Sequence, residues 1–108
     1  MELSGKRVLV VGLGRTGIET VRFLARRGAE VVATDEKPAA ELQEALSALA
    51  AVRGRFAFIA AEAAAGEGFD LVVPSPGVAP FHRILAGAVR RGIPVMSELE
   101  LAGRFLRR

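Results

Sequence analysis

The chain has 108 residues, 51% hydrophobic and 25% charged, the proportions of a globular domain and not of a disordered or fibrous chain. With no Cys and a single His, it can hold neither a disulfide nor a cysteine or multi-histidine metal site. The net charge is only +3, and the pI near 10.5 reflects the lack of Tyr and Cys and the presence of just two lysines, so no basic stripe for a nucleic acid is implied.

The charges of the first seven residues run directly into a short apolar segment, with no signal-peptide pattern, and no apolar run reaches the ~18 residues of a membrane helix. A cytoplasmic protein without a membrane partner is expected. Val8-Leu-Val-Val11 is a β-branched run that stops at Gly12, the pattern of a strand buried on both faces. From Thr16 to Arg27, Ile18, Val21, Leu24 and Ala25 recur at helical spacing opposite Arg15, Glu19, Arg22 and Arg26, and Gly28 supplies the stop. Glu30 to Asp35 predicts a second strand, and Ala40 to about Ala51 a helix with Glu41 and Glu44 near its start. A third strand is expected over Arg55 to Ile59, a short helix or loop over Ala60 to Gly68, and a fourth strand over Asp70 to Pro74. Beyond the Ser75-Pro76-Gly77 turn, Phe81 to Arg91 predicts a helix, Pro94 to Met96 a short fifth strand, and Glu98 to Arg107 a closing helix. Arg104, Arg107 and Arg108 read as a solvated helix end, and Glu98 and Glu100 as acids that favour the dipole of that helix.

Strands alternating with helices imply a parallel sheet covered on both faces. The expected fold is therefore a single α/β domain over 1–108, a doubly wound, Rossmann-like sheet of five strands in the order 3-2-1-4-5. The winding reverses between strands 1 and 4 and opens a ligand crevice at their carboxyl ends. Two turns face that crevice. In Gly12-Leu-Gly14-Arg15-Thr16-Gly17, a G-x-G-x-x-G run between strand and helix, Gly12 turns the chain, Gly14 leaves room for a phosphate, and Gly17 allows close packing of the helix. Free N–H groups at the helix start favour an anion. Thr16 either donates its hydroxyl to a phosphate or caps its own helix; Arg15 either reaches a diphosphate or points to water. Asp35 ends the second strand where dinucleotide folds place an acid for ribose hydroxyls, although a solvated turn acid has the same appearance. With Glu36 beside it, a 2′-phosphate would be repelled. Ser75-Pro76-Gly77 suits a type II turn that presents backbone N–H groups to a ligand. His82, with no Ser, Cys or paired acid adjacent in sequence, is expected to be exposed and not catalytic. No catalytic residue and no metal ligand set is visible, and the only Gly-Lys pair, Gly5-Lys6, is followed by Arg7 and so is no Walker A loop.

Gly12-Leu-Gly-Arg-Thr-Gly17, Asp35, Ser75-Pro-Gly-Val78 and Gly92-Ile-Pro-Val-Met-Ser-Glu-Leu-Glu-Leu101 together resemble the N-terminal domain of the UDP-N-acetylmuramoyl-L-alanine:D-glutamate ligases, the MurD family, over the whole chain. The resemblance implies a domain that holds the UDP part of UDP-N-acetylmuramoyl-L-alanine. Central and C-terminal domains of the same polypeptide, absent from this chain, would supply the sites for ATP and magnesium, and this domain alone would be inactive. By position, it implies Gly14, Arg15, Thr16 and Gly17 at the diphosphate, Asp35 and Glu36 at the uracil or ribose, and Ser75, Pro76 and Gly77 against the nucleotide-sugar. The sequence departs from the family at position 15, often apolar there, and at position 36, often a hydroxyl residue. The glycine turn and Asp35 alone fit equally a nicotinamide-binding oxidoreductase domain or a nucleotide-sensing module. The Ser75 turn favours the ligase.

Overall fold

The computed structural model describes residues 2–78 and 82–105. Phe81, Arg107 and Arg108, included in the expected helices and basic cluster, lie outside the described residues. Four strands, β1 (Arg7–Val11), β2 (Glu30–Thr34), β3 (Phe56–Phe58) and β4 (Leu71–Pro74), form a parallel sheet in the order β3-β2-β1-β4. The central strand β1 pairs Val8 with Val31 on one side and with Leu71 on the other. Its apolar run is explained by double-sided burial. Val8 and Val10 face a core containing Val21 and Leu24 of α1 (Arg15–Arg26), whereas Leu9 and Val11 face a second core. That second core contains Ala61 and Ala64 of α3 (Ala61–Ala65) and Ile84, Leu85 and Ala88 of α4 (Arg83–Arg90). Leu101 of α5 (Glu98–Phe105) and Ala45 of α2 (Gln43–Ala48) also belong to the first core.

The helix expected over Ala40 to Ala51 is broken into a 3-10 turn at Ala39–Glu41, then α2, then a second 3-10 turn at Ala50–Val52. The breaks fall at Leu42 and Leu49, which leave helical geometry and are both buried. In pieces this short, helical propagation contributes little, so burial of these side chains decides the path. The sheet itself has four strands. Pro94 to Met96 lies along the free edge of β4 but pairs through a single parallel bridge, Val72 with Val95. There Val72 N–H donates to Pro94 O (3.0 Å) and Met96 N–H to Val72 O (2.9 Å). Pro94 has no N–H to extend the ladder, and Ser97 already caps the next helix.

That cap is a reciprocal capping box in Ser97-Glu98-Leu99-Glu100: Glu100 N–H donates to Ser97 Oγ (3.1 Å) and Ser97 N–H to Glu100 Oε1 (2.9 Å). The backbone N–H of Ser97, more than the contact with its side chain, holds the Glu100 carboxyl below its ordinary range. At the amino end of the sheet, the Arg7 guanidinium meets Glu67 (2.6 Å), Gly68 O (2.7 Å) and Glu30 (3.2 Å) and lies over the Phe69 ring. Chiefly the Glu67 contact pushes its pKa up. No described helix is long and apolar enough to cross a membrane.

Candidate nucleotide crevice

The carboxyl ends of β1 and β4 carry the two turns that the sequence singles out. Gly12 turns the chain at φ +97°, and its N–H donates to Thr34 O (2.8 Å). Only glycine adopts that φ without strain. Gly17 packs so closely that a β-carbon there would lie 1.9 Å from Gly12 O. Gly14 is different: its backbone is extended (φ −77°, ψ −167°) and a β-carbon would meet nothing within 4 Å. The three glycines thus turn the chain, leave open space and admit close packing, as expected.

Gly14 is the N-cap of α1, and no side chain caps it. Ile18 N–H is the first to find a helical partner, Gly14 O at 3.0 Å. The N–H groups of Arg15, Thr16 and Gly17 have no partner among the described residues and carry the positive end of the helix dipole. Thr16 does not cap the helix, and its hydroxyl has no hydrogen-bond partner among the described residues.

The second turn is tied to the first. Ser75 N–H donates to Val11 O (2.9 Å), Ser75 Oγ to Gly12 O (2.9 Å), and Val78 N–H closes the turn on Ser75 O (3.0 Å). Gly77 does not take a positive φ, so the expected type II turn is not formed. Proline at the second position suits type I as well as type II, and the hydrogen bond from Val78 closes either.

Between these turns opens a crevice of about 590 Å³, lined by Gly12, Gly14, Thr16, Asp35, Glu36, the Ser75–Val78 turn and His82. Arg15 and Gly17 are not among its lining residues. Arg15 borders a shallower groove with Glu19, Arg22 and Glu44, and Gly17 is packed against the Gly12 carbonyl. For Arg15, the structure therefore favours the alternative in which its side chain does not reach the crevice. Asp35 is more than a solvated turn acid: its Oδ2 accepts from Leu13 N–H (2.8 Å) and its Oδ1 from Lys37 N–H (3.0 Å), bracing the glycine turn.

His82 corrects the expectation of an exposed residue, because its side chain is only 14% exposed. It caps α4, its Nδ1 accepting from Ile84 N–H (3.1 Å), and its Nε2 meets the Glu36 carboxylate across the crevice. Arg83 Nη1 reaches the same Glu36 oxygen at 3.3 Å. Sequence reasoning missed this constellation because Glu36 and His82 lie 46 positions apart and only the strand order brings them together. Among the described residues no group of three or more acids or histidines is placed to hold a metal. A neighbouring apolar groove shares Ser75, Pro76 and Val78 with the crevice and exposes Val89 and Leu99.

Comparison with solved structures shows the fold alone. A MtNAS mutant in complex with S-adenosylmethionine aligns with a TM-score of 0.65 at 16% identity, covering 89% of this chain and 39% of that one. D-lactate dehydrogenase from Escherichia coli aligns with a TM-score of 0.59 at 20% identity, covering 90% and 29%. At the level of sequence the relationship is much closer. The UDP-N-acetylmuramoylalanine--D-glutamate ligase of Syntrophus aciditrophicus is 50% identical over 107 residues, 98% of this chain and 24% of that protein. The same-named protein of Anaeromyxobacter dehalogenans is 48% identical over 106 residues, 97% of this chain and 22% of that protein. The chain thus spans about a quarter of the length of these relatives. Residues 6–97 match the family model described as Mur ligase MurD-like, N-terminal domain, and the chain belongs to that family.

Proposed function

We propose that this chain is the N-terminal substrate-binding domain of a cytoplasmic UDP-N-acetylmuramoyl-L-alanine:D-glutamate ligase and that its crevice holds the UDP moiety. The observation that carries this reading is the uncapped start of α1 opening onto a crevice whose other wall is the Ser75 turn. A diphosphate there would accept from the N–H groups of Arg15, Thr16 and Gly17 and from the Thr16 hydroxyl, with Gly14 leaving the approach clear. Asp35 and Glu36 would lie at the uridine, and Ser75, Pro76 and Gly77 on the side of the amino sugar.

In this reading, Arg15 contributes through its backbone. The names of the relatives supply the reaction, in which D-glutamate is joined to UDP-N-acetylmuramoylalanine. As ATP-driven amide formation, that reaction needs ATP and magnesium, and the residues here do not fit that pair: there is no P-loop and no described acidic cluster. Both would belong to central and C-terminal domains of the same polypeptide, with this domain supplying position to the substrate. In that setting the Pro94 to Met96 edge would serve as the fifth strand beside β4.

The test is a parallel titration by NMR with UDP-N-acetylmuramoyl-L-alanine, UDP and NADH, following the amides of Gly14 to Gly17 and Ser75 to Val78. The uridine ligands are expected to shift those amides at lower concentration than NADH. The opposite ranking would replace the ligase reading with a nicotinamide-binding one.

A further inference from the structure

A crevice that takes a diphosphate is here bordered by two adjacent carboxylates, Asp35 and Glu36. Left bare, each would repel an anionic ligand. Asp35 is met by the N–H groups of Leu13 and Lys37. Glu36 is met from the opposite wall, by His82 Nε2 and Arg83 Nη1, both on its Oε2. The direction of this contact is set locally: with His82 Nδ1 accepting from Ile84 N–H, the ring proton sits on Nε2 and points at Glu36. Glu36 Oε1 has no partner among the described residues.

We propose that His82 and Arg83 are positioning residues of the nucleotide site, which pin the Glu36 carboxylate by one oxygen, offset its charge against the incoming diphosphate, and leave its other oxygen to accept an N–H of the base. This inference rests on the reading of the crevice as a UDP site. It gives His82 and Arg83 a role that depends on ligand charge, which a purely structural contact would not have.

The experiment measures affinity for UDP and for uncharged uridine by NMR at low salt, on the wild-type chain and on Arg83→Gln, Glu36→Gln and the double variant, with melting temperatures recorded in parallel. Arg83 is half exposed, so its substitution is expected to leave the melting temperature near that of the wild type. Arg83→Gln is expected to weaken UDP about fivefold and uridine less than about twofold, because exposing the Glu36 charge acts on the diphosphate. In the Glu36→Gln background the same substitution is expected to change UDP affinity less than about twofold, since no charge remains to offset. His82→Asn retains a capping oxygen while removing the ring N–H, and is expected to melt near the wild type while weakening UDP more than uridine. Equal losses for UDP and uridine, or an Arg83→Gln penalty that persists without the Glu36 charge, would overturn the inference alone. Failure of the wild-type crevice to respond to UDP would overturn the underlying reading and this inference with it.

Discussion

Replacing Gly17 with alanine asks the most of the turn between β1 and α1. The new β-carbon would stand 1.9 Å from the carbonyl oxygen and 2.9 Å from the carbonyl carbon of Gly12, where contacts under 3.0 Å essentially never occur. Neither neighbour can yield easily: Gly12 N–H is bonded to Thr34 O at 2.8 Å and Gly12 O accepts from Ser75 Oγ at 2.9 Å. Helix α1 must therefore shift away, and with it Val21 and Leu24, both fully buried. Overpacking against fixed backbone places the cost at about 3 kcal/mol or more. For a domain whose total stability is of order 5–15 kcal/mol, that is a large fraction. It corresponds to a loss of roughly 12 °C or more in Tm at this chain length. Gly14→Ala is the control, since its β-carbon meets nothing within 4 Å. Its cost is that of a poorer N-cap, about 1 kcal/mol or less. The assay is urea unfolding followed by far-UV circular dichroism, because the chain has no Trp or Tyr to report by fluorescence. A Gly17→Ala variant within about 1 kcal/mol of Gly14→Ala would refute the close-packing role of Gly17.

Gly14→Val keeps an allowed backbone and open surroundings, so its stability is expected to fall by no more than about 2 kcal/mol, while its bulk holds a diphosphate off the start of α1. Calorimetric titration should show UDP affinity reduced at least about tenfold, and a folded variant with wild-type affinity would place the ligand elsewhere. For Glu100, whose carboxyl is held low chiefly by Ser97 N–H, the capping contribution is complete above the ordinary carboxylate range and is lost as pH falls through the lowered value. Carboxyl NMR should show Glu100 titrating below the ordinary range of a glutamate carboxyl, with Ser97 amide exchange accelerating in step. Titration at or above that ordinary range would contradict the capping box.

Much of the fold was legible because β1 is doubly buried and α1 is amphipathic, two patterns that burial alone produces. The glycine turn was legible for a similar reason: the φ of Gly12 and the contact at Gly17 exclude other side chains. What escaped depends on tertiary contacts. Leu42 and Leu49 keep helical spacing in sequence yet leave helical geometry to reach the core, so periodicity concealed the breaks around α2. Gly77 permits a positive φ without requiring one. Arg15 sits in the motif, but its side chain borders the face of α1 turned toward α2. His82 carried no local signal, since its partner Glu36 arrives from the bend that follows β2. The Ser97-x-x-Glu100 box is readable as a pattern, whereas on sequence grounds Glu98 and Glu100 are assigned only dipole complementarity.

The most direct measurement is a crystal structure of this domain with UDP-N-acetylmuramoyl-L-alanine bound. The diphosphate is expected within about 3 Å of the N–H groups at the start of α1, from Arg15 to Gly17, with the Thr16 hydroxyl beside it. The uridine should lie toward Asp35 and Glu36, and the amino sugar along the Ser75 turn. A diphosphate bound away from α1, or a UDP moiety outside the crevice between the two turns, would contradict the assignment of this site.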